Sequence, residues 1–300
     1  MEIWALTDFI LRCCSTVDLS LEHLRNQNIN YIPFHFYINN EHYYDDLGQT
    51  VKTEEFYSKM ESGAEVKTSQ INASEYVEYF RPFLESGKDI LHVNISSGIS
   101  GSHNSAKIAQ TELKEKFPDR KIYILDSLAA SSGYGLLMDT LAQLRDSGLT
   151  IEEVYNWGET NKLNLNHWFT STDLKYFVKG GRVSKTAGFF GGLLKICPVL
   201  TVDKIGKLVP VLKIRTKQKA ITELFEIMKK HVENNQNYNK KCYISHSACY
   251  EDAKFLADLI QEYFTKLLEP VLINNIGTTV GSHSGPGTIA LFFWGDTREN

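Results

Sequence analysis

Thr68 and Ser69 stand just before one expected helix. Ser96, Ser97 and Ser100 crowd the turn before another, in the stretch D-I-L-H-V-N-I-S-S-G-I-S-G-S-H-N-S-A that begins at Asp89. Hydroxyls at a helix start, where backbone N–H groups are unpaired and the dipole is positive, suit an anion. His283 lies in the glycine turn S-H-S-G-P-G, and Arg182 and Arg215 lie in K-G-G-R-V-S and V-L-K-I-R-T. Such a set of donors and cations is better matched to holding a carboxylate or phosphate than to cleaving a bond. Ordinary turns and caps use the same serines, and a lone histidine or arginine is often structural, so residue types alone leave both readings open.

Templates for bond-making are poorly met. A phosphate loop of the form G-x-x-x-x-G-K-[ST], whose backbone amides would cradle a nucleotide, is absent, which argues against ATP hydrolysis by that route. The G-x-S-x-G nucleophile elbow is also missing. Ser100, Asp126 and His283 nevertheless supply the residue types of a triad, and a serine-dependent hydrolase or acyltransferase acting on lipid esters is the competing reading. A regulatory module that binds protein partners, with lipid as its signal, is a third. Cys13, Cys14, Cys197, Cys242 and Cys249 form no C-x-x-C pair and no zinc-ligand pattern, so reduced thiols and no metal are expected.

Composition narrows the partners. A formal net charge of -4 with near-balanced acids and bases gives no basic face for nucleic acid. The amino-terminal residues lack the basic start and long apolar core of a secretory signal, and no apolar run approaches the roughly 20 residues that span a bilayer. A cytoplasmic chain without stable membrane insertion is therefore expected.

The elements that must position these groups alternate. Residues 90–95 form a nearly continuous apolar run, as a parallel strand covered on both faces requires, and Ser100 is a candidate N-cap for the helix that follows. Residues 3–6, 29–38 and 121–125 read as further strands, with helices near 21–28, 53–62, 72–86, 131–147 and 151–161. Asn72 and Glu75 have capping-box spacing. Alternation of this kind predicts an α/β domain with a parallel sheet over residues 1–160. Residues 161–300 read as a second, mixed α/β domain: a strand at 167–171, a hairpin at 199–212 around Gly206, amphipathic helices near 221–232 and 253–264, a strand at 242–246, short strands at 271–273 and 278–281, and a polar turn carrying His283.

In this order the motifs resemble the DegV family, the fatty-acid-binding subunits of bacterial fatty acid kinase. The matching pieces are T-S-Q at Thr68, I-S-S-G-I-S-G-S at Ile95, L-D-S at Leu125, D-L-K-Y-F-V-K-G-G-R-V-S at Asp173, L-L-K-I-C-P-V-L at Leu193, G-K-L-V-P-V-L-K-I-R-T-K-Q-K-A at Gly206 and H-S-G-P-G at His283. The resemblance runs from Thr7 to Gly295. It implies two α/β domains with a long-chain fatty acid between them, the only ligand, with no cofactor. Thr68, Ser96, Ser97, Ser100 and His283 would surround the carboxylate, and Arg182 and Arg215 would lie at the headgroup mouth or face a partner. That partner would be an ATP-dependent kinase subunit that phosphorylates the bound acid, so the chain itself would not be a complete enzyme. Phe189, Phe190, Leu193, Leu194 and Ile196 are candidates for lining the acyl tunnel, or equally for plain core.

Departures from the family pattern are visible. The family runs T-D-S-T into a D-L pair, whereas here Phe9 to Cys14 separates Thr7-Asp8 from Ser15-Thr16 and reads as an insertion. Ile71 replaces a proline, and Ser102-His103-Asn104 replaces Thr-Tyr-Gln.

Overall fold

The computed structural model describes residues 9–184 and 196–299. Its chain begins with strand β1 (Phe9–Cys14), helix α1 (Leu21–Asn26) and β2 (Ile29–Ile32). The stretch expected to be an insertion is thus the strand itself, and the expected strand at residues 3–6 and the Thr7-Asp8 pair lie outside the described residues. Arg12 is the one charged residue in this buried strand. Its guanidinium is accommodated by the ring of Phe83, 3.3 Å from the centroid, and by the Tyr79 hydroxyl at 2.9 Å. Ser15-Thr16 and Asp18-Leu19 follow β1 directly, so Cys13-Cys14 occupy the place of the family's Thr-Asp.

The run at 29–38 is two strands rather than one. Pro33 has no N–H to continue a ladder, and the chain leaves the first sheet there to form β3 (His35–Ile38) and β4 (Glu41–Tyr44). Asn39 and Asn40 close that hairpin with φ of 50° and 70°, the left-handed pair that a tight hairpin turn demands. Helix α2 (Thr53–Glu61) has Lys52 at its N-cap and Thr53 as its first residue. Strand β5 (Val66–Ser69) then pairs with β3, and α3 (Ala73–Glu85) begins with the expected Asn72–Glu75 capping box. Strand β6 (Asp89–Asn94), α4 (Ser102–Lys116), β7 (Ile122–Asp126), α5 (Ser131–Asp146) and α6 (Ile151–Asn161) complete the first half. Gly101 is the N-cap of α4, while Ser100 Oγ accepts the Ser102 N–H at 3.2 Å, so the serine caps from one residue further out.

After a turn at 162–164 the chain enters β8 (Leu165–Thr170) and the short helix α7 (Lys175–Lys179). It continues through β9 (Ile196–Val202), β10 (Leu208–Arg215), α8 (Lys217–His231), β11 (Cys242–His246), α9 (Tyr250–Tyr263), β12 (Leu272–Asn275), α10 (Thr278–Ser284) and β13 (Ile289–Trp294). Thr278-Thr279-Val280 is β-branched and reads as a strand locally, yet it is the start of α10. Tertiary packing overrides the propensity, for α10 lies against α7, α2, β3 and β5.

The architecture is mixed α/β. Strands β2-β1-β6-β7 form a parallel sheet, β10-β9-β8-β13-β11-β12 a mixed one, and β4-β3-β5 a small antiparallel one. Helix α5 lies between the two larger sheets, and Leu136, Leu137, Met138 and Leu141 are all fully buried, as a helix covered on both sides requires. One apolar cluster consequently runs from Leu11 and Leu91 through α5 to Ile244 and Leu291. The carboxyl ends of β1 and β6 face the start of α5 and the mixed sheet, which is where the polar turns meet.

Candidate functional site

A cavity of about 290 Å³ opens there, lined mainly by apolar side chains, among them Phe34, Ile95, Phe169, Phe177, Val202 and Phe292. This is near the small end of the roughly 300–1,000 Å³ typical of small-molecule pockets. Among its polar lining residues are Thr68 from β5, Ser100 from the turn after β6, Arg182 from the loop after α7 and His283 from α10. Thr68 Oγ1 lies 2.7 Å from His283 Nε2, and Arg182 Nη1 lies 3.5 Å from His283 Nδ1.

The proton positions follow from these partners. A guanidinium only donates, so His283 Nδ1 is the acceptor toward Arg182 and Nε2 carries the hydrogen, which it donates to Thr68. The Thr68 hydroxyl hydrogen is then available to an anion in the cavity. Burial, reinforced by the charge of Arg182, pushes the His283 pKa down to about 4, so the ring is neutral near pH 7. Arg182 is itself fixed, Nε donating to Ile99 O at 3.1 Å and Nη1 to Gly180 O at 2.5 Å. Gly180 lies so close to His283 that a Cβ would overlap the imidazole, which explains why glycine stands there.

The other residues singled out in the sequence are placed differently. Ser96 is fully buried, and its hydroxyl donates to Gly206 O at 2.8 Å while accepting the Gly98 N–H at 3.0 Å. It fastens the turn after β6 to the β9–β10 turn and is not among the cavity-lining residues. Ser97 is exposed, its N–H held by Asp126 Oδ1 at 3.1 Å. Arg215 ends β10, exposed and opposite Ile196 in the ladder, and is not among the cavity-lining residues. Phe189, Phe190, Leu193 and Leu194 lie outside the described residues, and Ile196 does not line the cavity.

Reasoning from sequence passed over Gln70, His167, Ser131, Thr279, Ser284 and Thr288, all of which line the cavity. Gln70 was legible as the last letter of T-S-Q; its amide donates to Ser105 Oγ at 3.2 Å and lies against Gly101. His167 gave no local signal beyond opening an apolar strand. The trio Ser100, Asp126 and His283 is not assembled as a triad. His283 is engaged by Thr68 and Arg182, while Asp126 Oδ1 takes the N–H groups of Ser97 and Leu128. Among the described residues no group of His, Cys, Asp and Glu has the arrangement of a metal site, and no helix is long and apolar enough to cross a membrane.

Fold and cavity together define an α/β protein with a mainly apolar chamber whose wall carries a hydroxyl–imidazole–guanidinium cluster. The chain belongs to the DegV family: that family's model, described as an uncharacterised protein family, matches residues 14–296. It is 38% identical to a DegV domain-containing protein of Clostridium perfringens, covering 97% of this chain and 99% of that one. A DegV family protein from Thermus thermophilus, described for its fatty acid binding, superposes with a TM-score of 0.85 at 25% identity, covering 96% of this chain and 100% of that one. The fold is also that of the Streptococcus pneumoniae fatty acid kinase B3 protein loaded with linoleic acid, with a TM-score of 0.82 at 23% identity and coverage of 96% and 99%.

Proposed function

We propose that this chain binds a long-chain fatty acid and presents its carboxylate to a separate ATP-dependent kinase subunit. The observation that carries the reading is the Thr68–His283 pair at 2.7 Å in the wall of a cavity lined mainly by apolar side chains. Thr68 and Ser100 donate to the carboxylate, His283 sets the direction of the Thr68 hydroxyl, and Arg182 offsets the charge at the mouth. A buried carboxylate without such partners would be prohibitively costly. The tail supplies affinity: about 15 methylenes at roughly 0.8 kcal/mol each give on the order of 12 kcal/mol before the costs of association. Ser96 contributes by holding the turn, and Ser97 and Arg215, both exposed, are left for the partner.

Residues 1–160 and 161–300 act as two domains that enclose the ligand, Thr68 and Ser100 coming from the first and Phe169 and His283 from the second. In the reaction a carboxylate oxygen attacks the γ-phosphorus of ATP held by the kinase subunit, giving acyl phosphate and releasing ADP. The chain itself contributes no nucleotide loop and no nucleophile.

Mass spectrometry of an organic extract from freshly purified protein, with a delipidated sample as control, tests the ligand. A stoichiometric long-chain fatty acid is expected. Protein that carries none and takes up none when it is added would overturn the reading. The second step is tested by adding a fatty acid kinase subunit and ATP and trapping acyl phosphate as the hydroxamate.

A further inference from the structure

His167 is a polar group in the cavity wall that the carboxylate site does not use. It sits in the middle of β8, opposite Phe292 of β13, whose ring it meets edge to face with centroids 5.4 Å apart. Val202 lines the same cavity beside it. The side chain is 1% exposed, and neither ring nitrogen has a hydrogen-bond partner among the described residues. The other strand-borne buried histidines are not left this way: His92 Nε2 lies 3.6 Å from Cys14 Sγ, and His246 Nδ1 accepts the Cys249 N–H at 3.3 Å.

Space has been made for this ring. A Cβ at Gly133 of α5 would overlap it. Phenylalanine or leucine would fill the same volume without stranding two polar atoms, so a role in packing alone does not account for imidazole at this position. Desolvation, with a smaller contribution from Arg298, holds the ring well below the usual histidine range. It is therefore neutral, with one nitrogen to donate and one to accept.

Its distance from the headgroup end matters. Gly180 touches His283, and Phe177 of the preceding helix stacks near Phe169 with centroids 5.8 Å apart. His167 lies on the same face of β8 as Phe169, about 7 Å further along the strand. Laid end to end, these two steps reach at most about 13 Å beyond Phe177, which sets His167 beside the interior of a long acyl chain and not at its carboxylate.

We propose that His167 anchors an oxygenated acyl chain, so that the preferred ligand is a long-chain fatty acid bearing a hydroxyl or oxo group near its middle. This rests on the fatty acid reading above and names its substrate class. A neutral imidazole can donate to a ketone or exchange either role with an alcohol, and a plain saturated tail leaves both nitrogens unpaired.

The test is competitive binding of octadecanoic acid and 10-hydroxyoctadecanoic acid to the delipidated full chain and to His167→Phe. The ratio of the two dissociation constants is expected to shift against the hydroxy acid by roughly three- to tenfold or more in the variant, the worth of one buried neutral hydrogen bond. Affinity of the variant for the plain acid should hold or rise. A second measurement needs no variant: with 3-, 10- and 17-hydroxy acids on the wild-type chain, preference should peak at the middle position. Uptake of both acids with an unchanged ratio, or a flat response to hydroxyl position, would overturn this inference alone. Uptake of neither acid would overturn the fatty acid reading, and this one with it.

Discussion

Replacing Thr68 with valine removes one oxygen and keeps the shape of the side chain. In the structure that oxygen accepts from His283 Nε2 at 2.7 Å, which frees its own hydrogen for the ligand. Thr68→Val therefore has two separable costs. In the free protein the His283 N–H is left buried without an acceptor, worth about 1–3 kcal/mol of stability. In the complex a hydrogen bond to a charged carboxylate is lost, worth about 1.5–3 kcal/mol, or roughly ten- to 150-fold in affinity. Displacement of a fluorescent fatty acid measures the second cost and thermal unfolding the first. The decisive control is the fatty alcohol of equal chain length, which has the tail without the charge. The variant should bind the alcohol with a much smaller penalty than the acid. Equal penalties for acid and alcohol, or wild-type affinity for the acid, would refute the assignment of Thr68 to the carboxylate.

Other outcomes follow from the same geometry. The pKa of His283, depressed to about 4 from an unfolded value of 6.5, makes the native state prefer the neutral ring; the resulting stability, up to about 3 kcal/mol, is full above pH 6.5 and lost as pH falls toward 4. His283→Gln should flatten that part of the pH–stability curve, read by thermal melts across the window. Asp18 is fully desolvated beside Asp45, and burial drives its pKa upward, so its charge works against folding above the unfolded carboxylate range. Asp18→Asn tolerates the φ of 48° and should raise the melting temperature at pH 7.5, with the gain shrinking toward pH 4. Gly206 has a φ of 76°, and a Cβ there would overlap Ser96 Oγ. Gly206→Ala should cost about 2 kcal/mol or more in denaturant unfolding; a neutral result would mean that the Ser96 fastening is dispensable.

What the sequence made legible was whatever depended on neighbours in the chain. The capping box at Asn72 and Glu75, the helix at Ile151–Asn161 and the strand at Cys242–His246 stand where local pattern puts them. Elements decided by distant partners were misread. In the sequence β1 reads as an insertion because Thr7-Asp8 matches the family's Thr-Asp pair, and the cover for its Arg12, Phe83 and Tyr79, comes from a helix some 70 residues on. The Thr-Thr-Val start of α10 obeys the surfaces it packs against, not its own propensity. The candidate site divides the same way. Thr68, Ser100, Arg182 and His283 were found through motif order and converge on one cavity, whereas Ser96 carries a hydroxyl of the right kind already spent on Gly206. His167 could not be found at all, since a histidine in an apolar strand acquires meaning only when its unpaired nitrogens and the neighbouring void are seen together.

Thr68 to His283, Ser96 to Gly206 and Arg182 to Ile99 are among the hydrogen bonds that join the halves of the chain around this cavity. Under the proposed function none of them touches the acyl tail, yet a chain enclosed behind them leaves only when they part. Equilibrium affinity then grows with each methylene, by roughly 0.8 kcal/mol, while the residence time follows how often the protein opens. Carriage and release become separately adjustable. A partner that docks over the exposed Arg215 edge and loosens one fastening would hasten unloading without competing for the tail.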